Sequence, residues 1–240
     1  MKKRIILLLF ITISFTSYSQ FKKLVKQFKS NTQTIALSQN QIGNGLKEAL
    51  NKGIKNQVSK LTATDGFYKN ELVKIMLPKE LQVVDKTLRR IGLSSLADQG
   101  IKALNRAAED AVKTATPIFV KAVKEITFTD AKNILTSNKN AATLYLQQKT
   151  SKQLYKKFTP VIKNSFTKVG ADKIWAKLIN KYNSMPFVKK VNPNLTDYVA
   201  QQALKGVFTM IEIEEKGIRE KASLRTSPLL KSVFALQDRN

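Results

Sequence analysis

Two short stretches carry spacing that chemistry could use: NRAAED at residues 105–110 and IEIEEKGIRE at residues 211–220. Asn105 and Glu109 are separated by one helical turn and share a face; Arg106 and Asp110 do the same on the adjacent face, as an ordinary helix ion pair. Glu214 and Glu215 are candidate acids on the C-terminal helix. Paired carboxylates with a phenol such as Tyr145 suit acid–base work, glycoside hydrolysis being one instance. The same groups buried together have a structural use, because a buried carboxylate needs a cation or several donors. Arg106 and Arg219 are the cations at hand. The expectation is one buried network joining Asn105, Glu109, Asp130, Tyr145, Glu215 and Arg219, with Arg106 and Thr143 beside it. It reads either as a device that fixes helix register or as a ligand-binding site.

The residue inventory narrows the chemistry. The chain has no His and no Cys. That removes the Ser-His-Asp triad, the Cys nucleophile, thiolate metal ligation and disulfides. A carboxylate metal site in a helical bundle normally uses Glu-x-x-His, so no metal is expected. There is no Walker pattern and no G-x-G-x-x-G loop, and no cofactor is expected. A non-catalytic protein is favoured, and no residue is assigned a catalytic role.

The elements that must position these groups read as helices. Only 9 Gly and 6 Pro occur in 240 residues, which fits long helices better than turn-rich sheets. Residues 38–60 read as a helix capped by Ser38. DGFYKNELVKIMLP, residues 65–78, reads as a turn and an extended piece, with a short β-hairpin arm as one form. Pro78 can open the next helix, and Gly92 can end it. The stretch 95–126 is periodic, with Ser95 and Asp98 spaced like a capping box and Pro117 marking a kink or break. In TDAKNILTSNKNAATLYLQQKT, residues 129–150, Thr129 can cap a helix with Asp130 in its first turn. Ser137 or Asn138 can cap the next. Capping accounts for most of the polar residues there, leaving Thr143, Tyr145 and Thr150 to other roles. Helix continues over 151–183, with breaks possible at Pro160 and Gly170. A Pro-containing loop follows, then a helix over 195–220, then a short one capped by Ser227 and opened by Pro228. The fold class is all-α: a single multi-helix, bundle-like domain over 38–240.

The N-terminus reads as an export signal, residues 1–19. Lys2, Lys3 and Arg4 precede an apolar stretch, Ile5 to Phe15. That stretch has the length of a signal-peptide core and falls short of the roughly 20 residues a membrane span needs. Ser17 and Ser19 are small residues of the kind a signal peptidase favours, so the mature chain is expected to begin near Gln20, without a transmembrane helix, in the periplasm or envelope. In residues 20–37, Phe21, Leu24, Val25 and Phe28 form one helical stripe, while Lys22, Lys23, Lys26 and Lys29 fill the other face. This segment reads as a membrane-surface helix, a linker or a helix docked on the domain.

Charge points to anionic partners. The formal net charge is +25, or +22 once the three basic residues of the leader are removed. Residues 131–196 hold 13 Lys against one acid, Asp172, while 195–220 reverse to a net −2. Anionic lipid and envelope polysaccharide are the expected surfaces, with a protein partner as an alternative. The basic residues are 35 Lys and 7 Arg. Lys is a diffuse, hydrated charge, so composition alone also explains part of the excess. Nucleic acid is disfavoured, because Phe128, Tyr145, Tyr155, Phe158, Phe166, Trp175 and Tyr182 mostly follow helical spacing and read as core, not as a stacking platform.

Several of these stretches occur together in one known family. DGFYKN (65–70), NRAAE (105–109), DA..IL (130–135), AAT.YL..KT (141–150), AL.G.F.MI..EE..IR (203–219) and RT..LLK.VF (225–234) appear in order. Over about residues 40–236 the chain resembles the bacterial domain-of-unknown-function family DUF4197. The resemblance implies an exported, mostly helical envelope protein and no particular reaction. The basic segment 20–37 lies outside it.

Overall fold

A computed structural model describes residues 37–235, apart from 80, 81, 138, 188 and 193. The leader, the basic residues Lys22, Lys23, Lys26 and Lys29, and the alternative cap Asn138 lie outside the described residues. The helices are α1 (Gln39–Thr62), α2 (Gln82–Arg90), α3 (Ser94–Val112), α4 (Thr116–Lys124), α5 (Phe128–Thr136), α6 (Ala141–Val169), α7 (Ala171–Asn183), α8 (Leu195–Glu220) and α9 (Pro228–Phe234). A single 3-10 turn, Ala222–Leu224, separates the last two. The all-α reading holds.

Helix α8 is the axis of the bundle. It packs against α6, α1 and α3, while α6 also meets α3, α4 and α7. Its inward face runs Val199, Ala203, Val207, Ile211 and Ile218, all buried. Small residues let neighbours approach closely: a Cβ on Gly206 would lie 2.7 Å from the Phe67 ring. Phe119 of α4 meets Phe208 of α8 edge-on at 5.9 Å. Helix α1 turns Leu46, Leu50, Ile54, Val58 and Leu61 inward at nearly one-turn spacing. Its start is a reciprocal capping box, Ser38 with Gln41.

Four local expectations are corrected. First, residues 63–78 form successive turns and a run without regular structure; the hairpin form is absent, with no strand among the described residues. Second, Thr127, not Thr129, caps α5. Its hydroxyl accepts from Asp130 N, and Asp130 returns a bond to Thr127 N at 2.9 Å. Third, α3 starts without a side-chain cap, Ser95 instead accepting from Gln99 and Asp98 pairing with Arg89. Helix α2 is described from Gln82, and residues 80 and 81, which link it to Pro78, lie outside the described residues. Fourth, α6 runs unbroken through Pro160. The proline is exposed, where solvent can reach the carbonyl it orphans. Gly170 does end α6, with φ of 67° in the left-handed region. Pro117 sits in the first turn of α4, after the break that follows Val112.

Candidate functional site

The buried polar residues form two knots, not one network. The first clamps the irregular segment 63–78 onto α3. Asn105 is fully buried. Its Oδ1 accepts from Ile75 N at 2.8 Å, and its Nδ2 donates to Ile75 O at 2.9 Å and Ile101 O at 2.7 Å. A side-chain amide thus satisfies both backbone groups of a residue outside any helix, the role that a second strand of a hairpin would have filled. One turn on, Glu109 Oε1 accepts from Phe67 N at 3.1 Å and Oε2 accepts from Arg106 Nη1 at 2.6 Å. Arg106 Nη2 reaches Asp65 Oδ1 at 2.6 Å. A hydrogen bond from Lys69, helped by the charge of Arg106, holds the Asp65 carboxyl below its ordinary value. Glu109 in turn raises the pKa of Arg106. The expected Arg106–Asp110 pair does not form; Asp110 pairs with Lys113.

The second knot caps α6 from a distance. The N-cap residue is Asn140, not Ser137, and its side chain makes no capping bond. Instead Glu215 of α8 accepts from Ala142 N at 2.9 Å, Thr143 N at 2.7 Å and Thr143 Oγ1 at 2.7 Å. A carboxylate here meets both the orphan amides and the positive end of the helix dipole. Arg219 balances it, donating to Glu215 Oε1 through Nε at 3.0 Å and Nη2 at 2.8 Å, and to Ile134 O of α5 at 2.8 Å. Arg225 then closes the far end of α8, with Nε on Ile218 O at 3.0 Å and Nη2 on Arg219 O at 2.8 Å. One chain of bonds therefore ties α5, α6, α8 and the segment leading to α9.

Of the expected members, Thr143, Glu215 and Arg219 meet in the second knot, and Asn105, Arg106 and Glu109 meet in the first. Asp130 is engaged in its own helix cap, and the Thr127 amide and hydroxyl lower its pKa. Tyr145 is half-buried, with Lys149 Nζ 5.6 Å from its ring centre. Burial, then the charge of Asp130, raises its phenol pKa. Thr150 donates back to Leu146 O within its own helix. Sequence reasoning did not single out Asp65, Gln57 or Arg225. Gln57 is buried and donates to Glu214 Oε2 at 2.5 Å. Arg225 opens the quoted stretch RT..LLK.VF and lies just past a helix end, where a basic residue can bond the last carbonyls.

Beside the second knot is a groove between α1, α8 and α9, lined by Leu50, Ile54, Ile211, Glu214, Ile218 and Phe234. It holds about 370 Å³ of unfilled space, counting its side open to solvent. Most of that space is open solvent, and the enclosed part has room for about one water, well short of a small-molecule site. Among the described residues no three acidic side chains gather as metal ligands.

Both knots are built from the motifs AAT, EE..IR, DGFYKN and NRAAE. The family described as "Protein of unknown function (DUF4197)" matches residues 36–235. The chain belongs to the DUF4197 family. No curated protein and no solved structure matches it. In this DUF4197 chain, the matched region covers both knots and the lysine-rich helices α6 and α7, and the family description assigns them no activity.

Proposed function

We propose that this protein is an exported, non-catalytic helical module that binds an anionic surface through the basic face of α6 and α7. The observation that carries this reading is a lysine stripe on α6. Lys149, Lys152, Lys156 and Lys163 are exposed and recur at i, i+3, i+7 and i+14. At about 100° per residue they fall within roughly 60° of one another, over about 21 Å of helix. Helix α6 contains no acid, and Lys157, Lys168, Lys173 and Lys177 extend the exposed positive charge around it and onto α7. The buried carboxylates Glu109 and Glu215 are engaged by backbone and guanidinium donors, and on α6 itself every charged residue is a lysine. Lys22, Lys23, Lys26 and Lys29 add to the same attraction.

The shared chemistry is a polyanion, either a lipid headgroup layer or an acidic polysaccharide. The test is flotation with vesicles of phosphatidylcholine and phosphatidylglycerol, alongside retention on a dextran sulfate resin. Each basic residue near an anionic membrane contributes about 1 kcal/mol. Replacing Lys149, Lys152, Lys156 and Lys163 with Gln is therefore expected to weaken binding by at least about a hundredfold. Binding is also expected to vanish near about 0.5 M salt, where exposed charges are screened. Retention by the resin alone assigns the polysaccharide; flotation assigns lipid. Equal binding by the four-fold variant, or no binding to either probe, overturns the proposal.

A further inference from the structure

The loop between α7 and α8 presents an apolar tip that the fold does nothing to bury. Phe187 is 106% exposed and Met185 49% exposed, with exposed Pro186 between them. Phe187 also has φ of 61°, in the left-handed region that non-glycine residues enter at a cost. The loop nevertheless has a firm base. Asn183 Nδ2 donates to Val191 O at 2.8 Å, and Val191 N donates to Asn183 Oδ1 at 2.8 Å. Val191 packs against the core. Trp175 donates through Nε1 to Asn192 O at 3.4 Å and stacks on Tyr198 with ring centres 5.9 Å apart. The tip is thus projected from a pinned base. Two and three residues on from Phe187 in the chain, Lys189 and Lys190 are exposed, and residues 184–190 contain no acid.

We infer that this loop is a bilayer-inserting tip, in which Met185 and Phe187 enter the acyl boundary of an anionic membrane while Lys189 and Lys190 engage its headgroups. The inference rests on the anionic-surface reading and names that surface as lipid. An apolar tip followed in the chain by exposed cations matches the order of a membrane interface, apolar interior first and negative headgroups next. An acidic polysaccharide offers Lys189 and Lys190 the same charge but offers Phe187 no apolar phase. From the apolar area of a phenyl ring, Phe187 is expected to raise vesicle affinity about tenfold or more.

The chain's lack of Cys allows one fluorophore to be placed at will. Met185→Cys carrying the environment-sensitive dye NBD keeps Phe187 in place. Asn44→Cys, exposed on α1 beside the Gly45–Val233 contact with α9, is the control. With phosphatidylglycerol-containing vesicles, the dye at 185 is expected to shift to the blue and to be quenched by bromine-labelled acyl chains. Dextran sulfate should leave it unchanged, and the dye at 44 should respond to neither. Phe187→Ala should lower vesicle affinity about tenfold while dextran sulfate retention stays the same. Salt-sensitive vesicle binding with an unshifted dye at 185 overturns the insertion and leaves the charged-surface reading standing. Absence of binding to vesicles and to dextran sulfate overturns both. A blue shift that grows with protein concentration in the absence of lipid assigns the tip to a second copy of the chain and overturns the lipid assignment.

Discussion

Replacing Glu215 with Ala separates a structural role from a ligand-binding one. The substitution strips acceptors from the second and third amides of α6, from the Thr143 hydroxyl and from two nitrogens of Arg219. Arg219 is 3% exposed, so solvent cannot replace the lost partner. Removing one member of a buried pair costs about 3–5 kcal/mol, because the other charge stays buried. Each orphaned buried amide alone would cost about 1–3 kcal/mol. These terms overlap, since the second knot relaxes as a unit, and Arg219 keeps its bond to Ile134 O. A net loss of about 4 kcal/mol is expected, within the range set by the buried pair. For a domain of this size, a loss of that order lowers the melting temperature by about 8–16 °C.

The assay is thermal unfolding followed by far-ultraviolet circular dichroism, with a double-mutant cycle against Arg219→Met. Taking away both charges removes the stranded guanidinium, so the double variant should be at least about 1 kcal/mol more stable than the sum of the single changes predicts. A melting temperature within about 3 °C of the wild type for Glu215→Ala would refute the reasoning, since it corresponds to only about 1 kcal/mol in a domain of this size. So would strict additivity in the cycle. Either result would mean that Glu215 is held ready for something other than the end of α6.

Two more predictions concern separate parts of the structure. Glu109→Ala strands the buried Phe67 amide but leaves Arg106 partly open to water, so a loss of about 1–3 kcal/mol is expected. Hydrogen exchange should show amides of residues 65–75 losing protection ahead of α8; uniform loss across the chain would contradict the clamp. At α5, Thr127→Ala should cost about 1 kcal/mol near neutral pH. The pKa of Asp130 is lowered in the folded state from its ordinary 3.8. Its stabilising effect is therefore present above that value and lost as pH falls through the lower folded one. The melting-temperature gap between wild type and Thr127→Ala should hold from pH 7 to about 5 and narrow below about 3.8. A gap that stays constant down to pH 2.5 would disprove the link to Asp130.

The sequence made the helices and the identity of most buried polar residues legible, but not their partners. Ser38 with Gln41, Ser227 with Pro228 and Gly170 are local signals, and each acts where the sequence places it. Asn105, Glu109, Glu215 and Arg219 stand out because polar groups interrupt apolar faces. Their grouping failed for a physical reason. A hydrogen bond between Glu215 and Thr143 joins residues 72 apart in the chain, and no periodicity encodes it. The same fact explains the wrong cap for α6: with Glu215 satisfying its first amides, the local sequence is under no demand to supply a Ser or Asn. At α5 the ambiguity was narrower, because Thr127 and Thr129 both precede the apolar run. Only Thr127 has Asp130 at the third helical position, where the reciprocal bond can close. The hairpin reading of 65–78 failed in the same way, since Asn105 supplies the pairing from a helix.

This division of labour carries the functional argument. The acids of the two knots turn inward and bind backbone amides, guanidinium groups or both, and Asp130 closes a helix end. Many of the remaining charges are lysines, and on α6 they recur at the helical repeat along one exposed face with no acid in the helix. A stripe of that kind is self-repelling, so it weakens the isolated fold slightly. It gains from meeting a surface of opposite sign. Phe187 shows the same asymmetry in apolar form: a large side chain in a strained backbone conformation, turned away from a core that has already formed without it. Neither feature stabilises the folded chain in water, and on the proposal above both would become favourable together where negative headgroups lie over hydrocarbon.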